Sequence, residues 1–248
     1  MHSPDGAMRA LQAAISRGAP LYNSGDIAGC AALYLDVARS VRDGGSLTEL
    51  SALEFSSLLD SPPADANARA WALRHAFDRF LGDVVFSPRL EAPLPRGFPG
   101  PGRAGRVEEK LYPAYRSAVA QQAGGGAFGA LFRHISTNGV AMTSPVVTTT
   151  DSMAFCYESV AQGATAAPKN GVAVVDSPPL RVLSVGMRGG GGAGGEPPLA
   201  LARRVLEARL AVGDLESTGY WRQLGYNSPM VTPSERFWEL QVGVCERQ

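Results

Sequence analysis

Two near-copies, TSPVVT at 143–148 and NSPMVT at 227–232, stand inside a larger self-similarity that restricts the fold of the second half of this chain. PAYR at 113–116 answers PPLR at 178–181, and after each come a strand pattern, a helix pattern and a Ser-Pro segment, at offsets of 65 to 84 residues. A repeat of this length predicts a duplicated β-α-β-β unit. Two such units can close edge to edge, which removes the unpaired strand edges that otherwise invite aggregation. Proline lacks an N–H and restricts the residue before it, so Ser-Pro in both halves predicts matched corner strands. The copies differ at Val146 and Met230, which predicts a symmetric fold that uses only one side for a ligand.

The first third has a different period. AMRALQAAISRGAPLYN and DIAGCAALYLDVARSVRD space apolar residues by three and four, broken at NSGD, where Asp26 is placed to cap the second helix. Two more helices are expected, over about 46–59, with Ser46 as cap and Glu49 three residues on, and over about 64–81 after the Ser-Pro-Pro break. One helical hairpin of tetratricopeptide character is too few for a repeat array, so a small bundle is the expectation. Between the two patterns lies SPRLEAPLPRGFPGPGRAGR, too rich in proline and glycine for a helix interior or a central strand. The division read from this is a helical bundle over 1–82, a linker or strap over 83–106, and a β-rich domain over 107–248. The fold class is therefore α+β.

With 23 basic against 23 acidic residues the chain has no net charge, so its balance favours neither nucleic acid nor an anionic membrane as a partner. Cys30, Cys156 and Cys245 are odd in number and widely spaced, which points away from a disulfide framework or zinc knuckle and toward a reducing compartment. No apolar run approaches the roughly 18 residues of a membrane span, and the N-terminus lacks a secretory apolar core. The expected location is cytoplasm or plastid stroma, with a leader removed before residue 1 left open. The glycine tract at 189–195 lacks phosphate-loop spacing and reads as a loop.

VEEKLYPAYRSA, FGALFRHIST, AMTSPV, PPLRVLSVGMRG, GYNSP and ERFWELQV, in this order over about 107–245, resemble the SOUL family of haem-binding proteins. That resemblance implies a pseudo-twofold barrel-like β-α-β-β fold with two helices, and a haem or other tetrapyrrole in an apolar cleft, often without a strong protein ligand to iron. The helical N-terminal part lies outside it, and an accessory role or a protein partner for those helices is left open.

On the helix over 127–138, Phe128, Leu131, Phe132 and Ile135 fall at sheet-facing spacing. Ala127, Ala130 and His134 share a neighbouring flank, where small side chains leave a shallow groove beside an imidazole. The expected tetrapyrrole contacts are Ala127, Ala130, Leu131, His134, Met230 and Arg236, with His134 as candidate metal ligand, Met230 packing on the macrocycle and Arg236 pairing a propionate. His134 can equally be an ordinary hydrogen-bonded boundary histidine; His2 and His75 are weaker candidates. Nucleophile-elbow and metalloprotease motifs are absent, so catalysis would fall to carboxylates such as Glu235 or Glu239 acting on a bound pigment, for example in metal removal. A scaffold for protein contacts without ligand is the remaining reading.

Overall fold

The computed structural model describes residues 4–121, 125–189 and 198–247, so the glycine tract from 190 onward and His2 lie outside the described residues. The chain separates into two compact units, one holding Met1–Ser87, Ala104–Arg106 and Gly191–Val205, the other Pro88–Arg103, Val107–Gly190 and Leu206–Gln248.

The first unit is built from α1 (Pro4–Asn23), α2 (Ile27–Asp43), α3 (Glu49–Asp60) and α4 (Ala66–Val85). Each start after the first is set by a side-chain oxygen that accepts an otherwise unpaired N–H. Asp26 takes Gly29 N at 2.9 Å, Thr48 takes Ser51 N at 3.3 Å, and Asp65 takes Ala68 N at 2.8 Å. The expected cap Ser46 instead turns its hydroxyl back to Gly44 O, so α3 begins at Glu49, three residues beyond Ser46. Leu11, Ala38, Phe55, Leu73, Phe77 and Phe80 form the centre of the core. Gly18, inside α1, is explained by Tyr34: a Cβ there would stand 2.3 Å from the Tyr34 ring.

The second unit contains β1 (Val107–Tyr112), β2 (Tyr115–Ala120), α5 (Gly125–Thr137), β3 (Val146–Thr148), β4 (Met153–Cys156), β5 (Ala166–Lys169), β6 (Val172–Ser177), β7 (Leu180–Arg188), β8 (Leu215–Gly225) and β9 (Phe237–Glu246); α6 (Pro198–Ala211) follows β7 in the chain and is divided, its residues through Val205 belonging to the first unit and the rest to the second. The strands form one nine-stranded antiparallel sheet in the order β1-β7-β9-β8-β3-β4-β2-β6-β5. Two β-α-β-β runs, β2-α5-β3-β4 and β7-α6-β8-β9, occupy it in mirrored order and meet where β3 pairs with β8.

Two short connections dictate the shape of the sheet. Tyr112 ends β1 and Tyr115 begins β2, and three residues of chain reach at most about 11 Å. In a flat sheet β1 and β2 would lie about 29 Å apart, since they are six places apart in the strand order at about 4.8 Å each. The link from Ser177 to Leu180, between β6 and β7, imposes the same condition. The sheet therefore curls until its ends approach, and a concave inner face results.

The Ser-Pro segments are not the matched corner strands that the repeat predicts. Ser144-Pro145 leads into β3, whereas Ser228-Pro229 lies in the connection from β8 to β9, after its strand rather than before it. They are instead neighbours, because β3 and β8 run antiparallel and Val146 pairs with Gly225. Both hold the proline-rich segment: Ser144 N donates to Pro93 O at 2.9 Å, and Ser228 binds the Glu91 carboxylate through its N–H and hydroxyl. Residues 88–103 are thus a strap fixed on the sheet unit. Among the described residues no helix is long and apolar enough to cross a membrane.

Candidate functional site

Helix α5 packs on β2, β4 and β6, with Ala127, Leu131 and Ile135 set among Ala118, Ala120, Phe155, Val172 and Val174. The expected sheet-facing stripe is rotated. Leu131 and Ile135 are buried as expected, but Phe128 is 41% and Phe132 52% exposed, and Ala127, expected to line a groove, is fully buried. The reason is small-residue packing: Ala127 is buried in one cluster with Ala118 and Ala120, and alanine on both surfaces lets helix and sheet approach closely.

The rotation leaves two flanks. Ala130 and His134 are partly buried on one; Phe128 and Phe132 lie on the other, about 120° and about 160° around the helix from His134. The two phenyl rings are parallel, 8° apart in plane with centroids 6.3 Å apart, and Phe128 meets Phe155 edge-on at 5.1 Å. His134 is not free: its Nε2 lies 2.9 Å from the Tyr157 hydroxyl. Burial holds its pKa below the usual 6.5.

Met230 and Arg236 lie in the β8–β9 connection, away from the strands on which α5 packs. Met230 is 91% exposed. Arg236 spends its guanidinium on its own loop, donating to Val231 O at 2.9 Å and Pro229 O at 2.7 Å, so its role is to brace that loop. The six expected contacts therefore do not form one surface.

What the sequence reading missed is a polar cluster on the concave face. Glu239, fully buried on β9, accepts from Lys110 Nζ and Gly102 N, each at 2.6 Å, from Ser184 Oγ at 2.9 Å and from Gln241 Nε2 at 2.8 Å. Gln241 also donates to the Tyr112 hydroxyl at 2.8 Å and accepts from Arg222 Nε at 2.9 Å. Arg222 reaches Tyr115 OH at 3.1 Å and lies 4.4 Å over the Tyr112 ring. Burial, with the Glu239 charge adding to it, pushes the Tyr112 phenol up to about 12. The strap closes over this cluster: Phe98 stands edge-on to Tyr112 and Tyr115 at 4.9 and 5.3 Å, and Gly100 O accepts from Lys110 at 2.8 Å. The available signal was Glu239 and Gln241 alternating with the apolar Trp238, Leu240 and Val242 along β9.

Among the described residues no group of three or more His, Cys, Asp or Glu is placed to hold a metal ion. Glu239, proposed above as a carboxylate for metal removal, is committed to four donors and is shut from solvent. Glu235 is exposed in a short 3-10 turn, Pro233–Glu235.

No family model matches the chain, and no curated protein sequence matches it. Among solved structures, the fold is similar to the C-terminal domain of EcmrR, at 12% identity and a TM-score of 0.42 over 57% of this chain and 98% of that one. It is also similar to an uncharacterised conserved protein from Listeria innocua, at 10% identity and a TM-score of 0.43 over 59% and 94%. A hydrolase from Listeria innocua is similar at 8% identity and a TM-score of 0.41, over the same shares of the two chains.

Proposed function

We propose that the sheet unit binds haem or a related tetrapyrrole on the outward flank of α5, reversibly, for buffering, transport or signalling in a reducing compartment such as cytoplasm or plastid stroma. The resemblance to the SOUL family supplies the ligand class. The observation that carries the reading is the parallel pair Phe128 and Phe132, two large apolar rings left in water on a helix that buries alanine instead. A flat macrocycle laid against them removes both from water at about 25 cal/mol per Å² of apolar surface. Phe155 braces Phe128 from below, so the platform is formed before the ligand arrives.

His134 is not the metal ligand in this reading, because it faces the opposite flank and its Nε2 is engaged by Tyr157. The macrocycle is held by apolar contact, and the metal it carries is not anchored by this chain's histidine. The test is a hemin titration followed by the Soret band. A saturable shift is expected, weakened at least tenfold in Phe128→Ala/Phe132→Ala and unchanged in His134→Ala. The reading fails if the double variant binds as the parent does, or if no shift occurs. The protein-scaffold reading then takes its place.

A further inference from the structure

The helical unit contains a cavity of about 210 Å³ that the tetrapyrrole reading does not use. Its walls come from α1, α2 and α4. Ala19 and Ala70 supply no bulk, and the space they leave is bounded by the rings of Tyr22, Tyr34 and Trp71. Those rings are fixed. Trp71 Nε1 donates to Tyr22 OH at 3.0 Å, Tyr22 OH donates to Asn67 at 2.6 Å, and the two rings meet edge-on at 5.8 Å. Tyr34 is seated against Gly18, where any Cβ would collide with it.

Arg74 is the single ionised side chain in the lining. Its Nε is held from outside by both Asp78 oxygens, at 2.9 and 3.0 Å. The pairing holds the side chain through Nε in the wall of the ring-lined space, and a guanidinium has further N–H donors with which to meet a planar acceptor.

We propose that this cavity is a binding site for a small aromatic carboxylate, its ring between Tyr22, Tyr34 and Trp71 and its carboxylate on Arg74. Size supports one ring with a substituent: an apolar cavity of about 150 Å³ accepts benzene, and this one is larger by about the room a carboxylate needs. A tetrapyrrole is far too large for it. Charge supports an acid over a neutral or cationic ring, since the lining offers a cation and no carboxylate.

The experiment uses the full chain and NMR N–H correlation spectra, titrated with benzoate and with its uncharged counterpart benzamide. The Trp71 indole N–H, assigned by its loss in Trp71→Phe, is expected to shift saturably with benzoate and at least tenfold more weakly with benzamide. Arg74→Gln is expected to raise the benzoate Kd at least tenfold. If that variant does not fold, as seen from loss of the dispersed Trp71 indole signal and of helical circular dichroism, Ala19→Leu, which fills the cavity from a half-buried wall, is expected to abolish the shift. No saturable shift of the Trp71 signal, equal binding of benzamide, or unchanged affinity in the folded variants would each overturn the proposal.

Discussion

At the scale of single residues, the most consequential interaction is the Lys110–Glu239 pair, side chains 4% and 0% exposed. A buried ion pair gains little over a well-packed apolar pair, but losing one partner strands a charge that has no water to turn to. Lys110→Met is therefore expected to destabilise the sheet unit by about 3–5 kcal/mol, and Lys110→Met/Glu239→Gln by less, as measured by urea denaturation. A single variant no worse than the double would show that Glu239 does not depend on its cation. His134 supplies a pH test of a different kind. Its folded pKa is depressed by burial, so the neutral ring is the favoured native form. Its contribution is complete above the unfolded value of about 6.5 and is lost as pH falls through the lower folded value. An NMR titration of its ring protons is expected to give a midpoint below 6.5, with stability falling on the acid side. A midpoint at or above 6.5 would mean that the ring is solvated or paired with an anion.

At the scale of elements, periodicity located the helices because each buries a stripe, yet it placed two features wrongly. Apolar size alone put Phe128 and Phe132 inward on α5; the helix instead buries Ala127 against Ala118 and Ala120, a preference for close approach that only the opposing surface reveals. The start of α3 is a smaller example of the same limit. Ser46 and Thr48 are both good caps by type, and only the backbone path decides that Thr48 faces the free N–H of Ser51. Thr48→Ala is expected to cost about 1 kcal/mol, whereas Ser46→Ala should stay within about 0.5 kcal/mol, both read from chemical denaturation. Comparable losses would place Ser46 in the cap. The Ser-Pro copies show the reverse case, a true sequence likeness with unlike positions. Local resemblance fixed two rigid segments, while strand pairing placed them side by side to grip one strap.

At the scale of the molecule, the proline and glycine content of 83–106 identified a break in the chain but not which unit it serves. Breakers prohibit regular structure and say nothing of what the irregular backbone touches. The answer lies in residues that sequence reading had no cause to join. Phe98 stands against Tyr112 and Tyr115, Gly102 N reaches Glu239, and Gly100 O receives Lys110, across as many as 137 positions of sequence. The strap thus completes the polar cluster on the concave face of the curled sheet, and the sheet unit begins at Pro88 rather than at Val107. A fragment of residues 88–248 is therefore expected to be more stable to urea than one of 104–248 by at least about 3 kcal/mol, the scale of losing one buried aromatic ring. The shorter fragment also leaves Glu239 without its backbone donor and Lys110 without its backbone acceptor, so it is expected to expose apolar surface to a dye such as ANS where the longer one does not. Equal stability in the two fragments would make the strap a passive covering, and the concave face would then hold its shape through the side-chain network of Glu239, Gln241 and Arg222 alone.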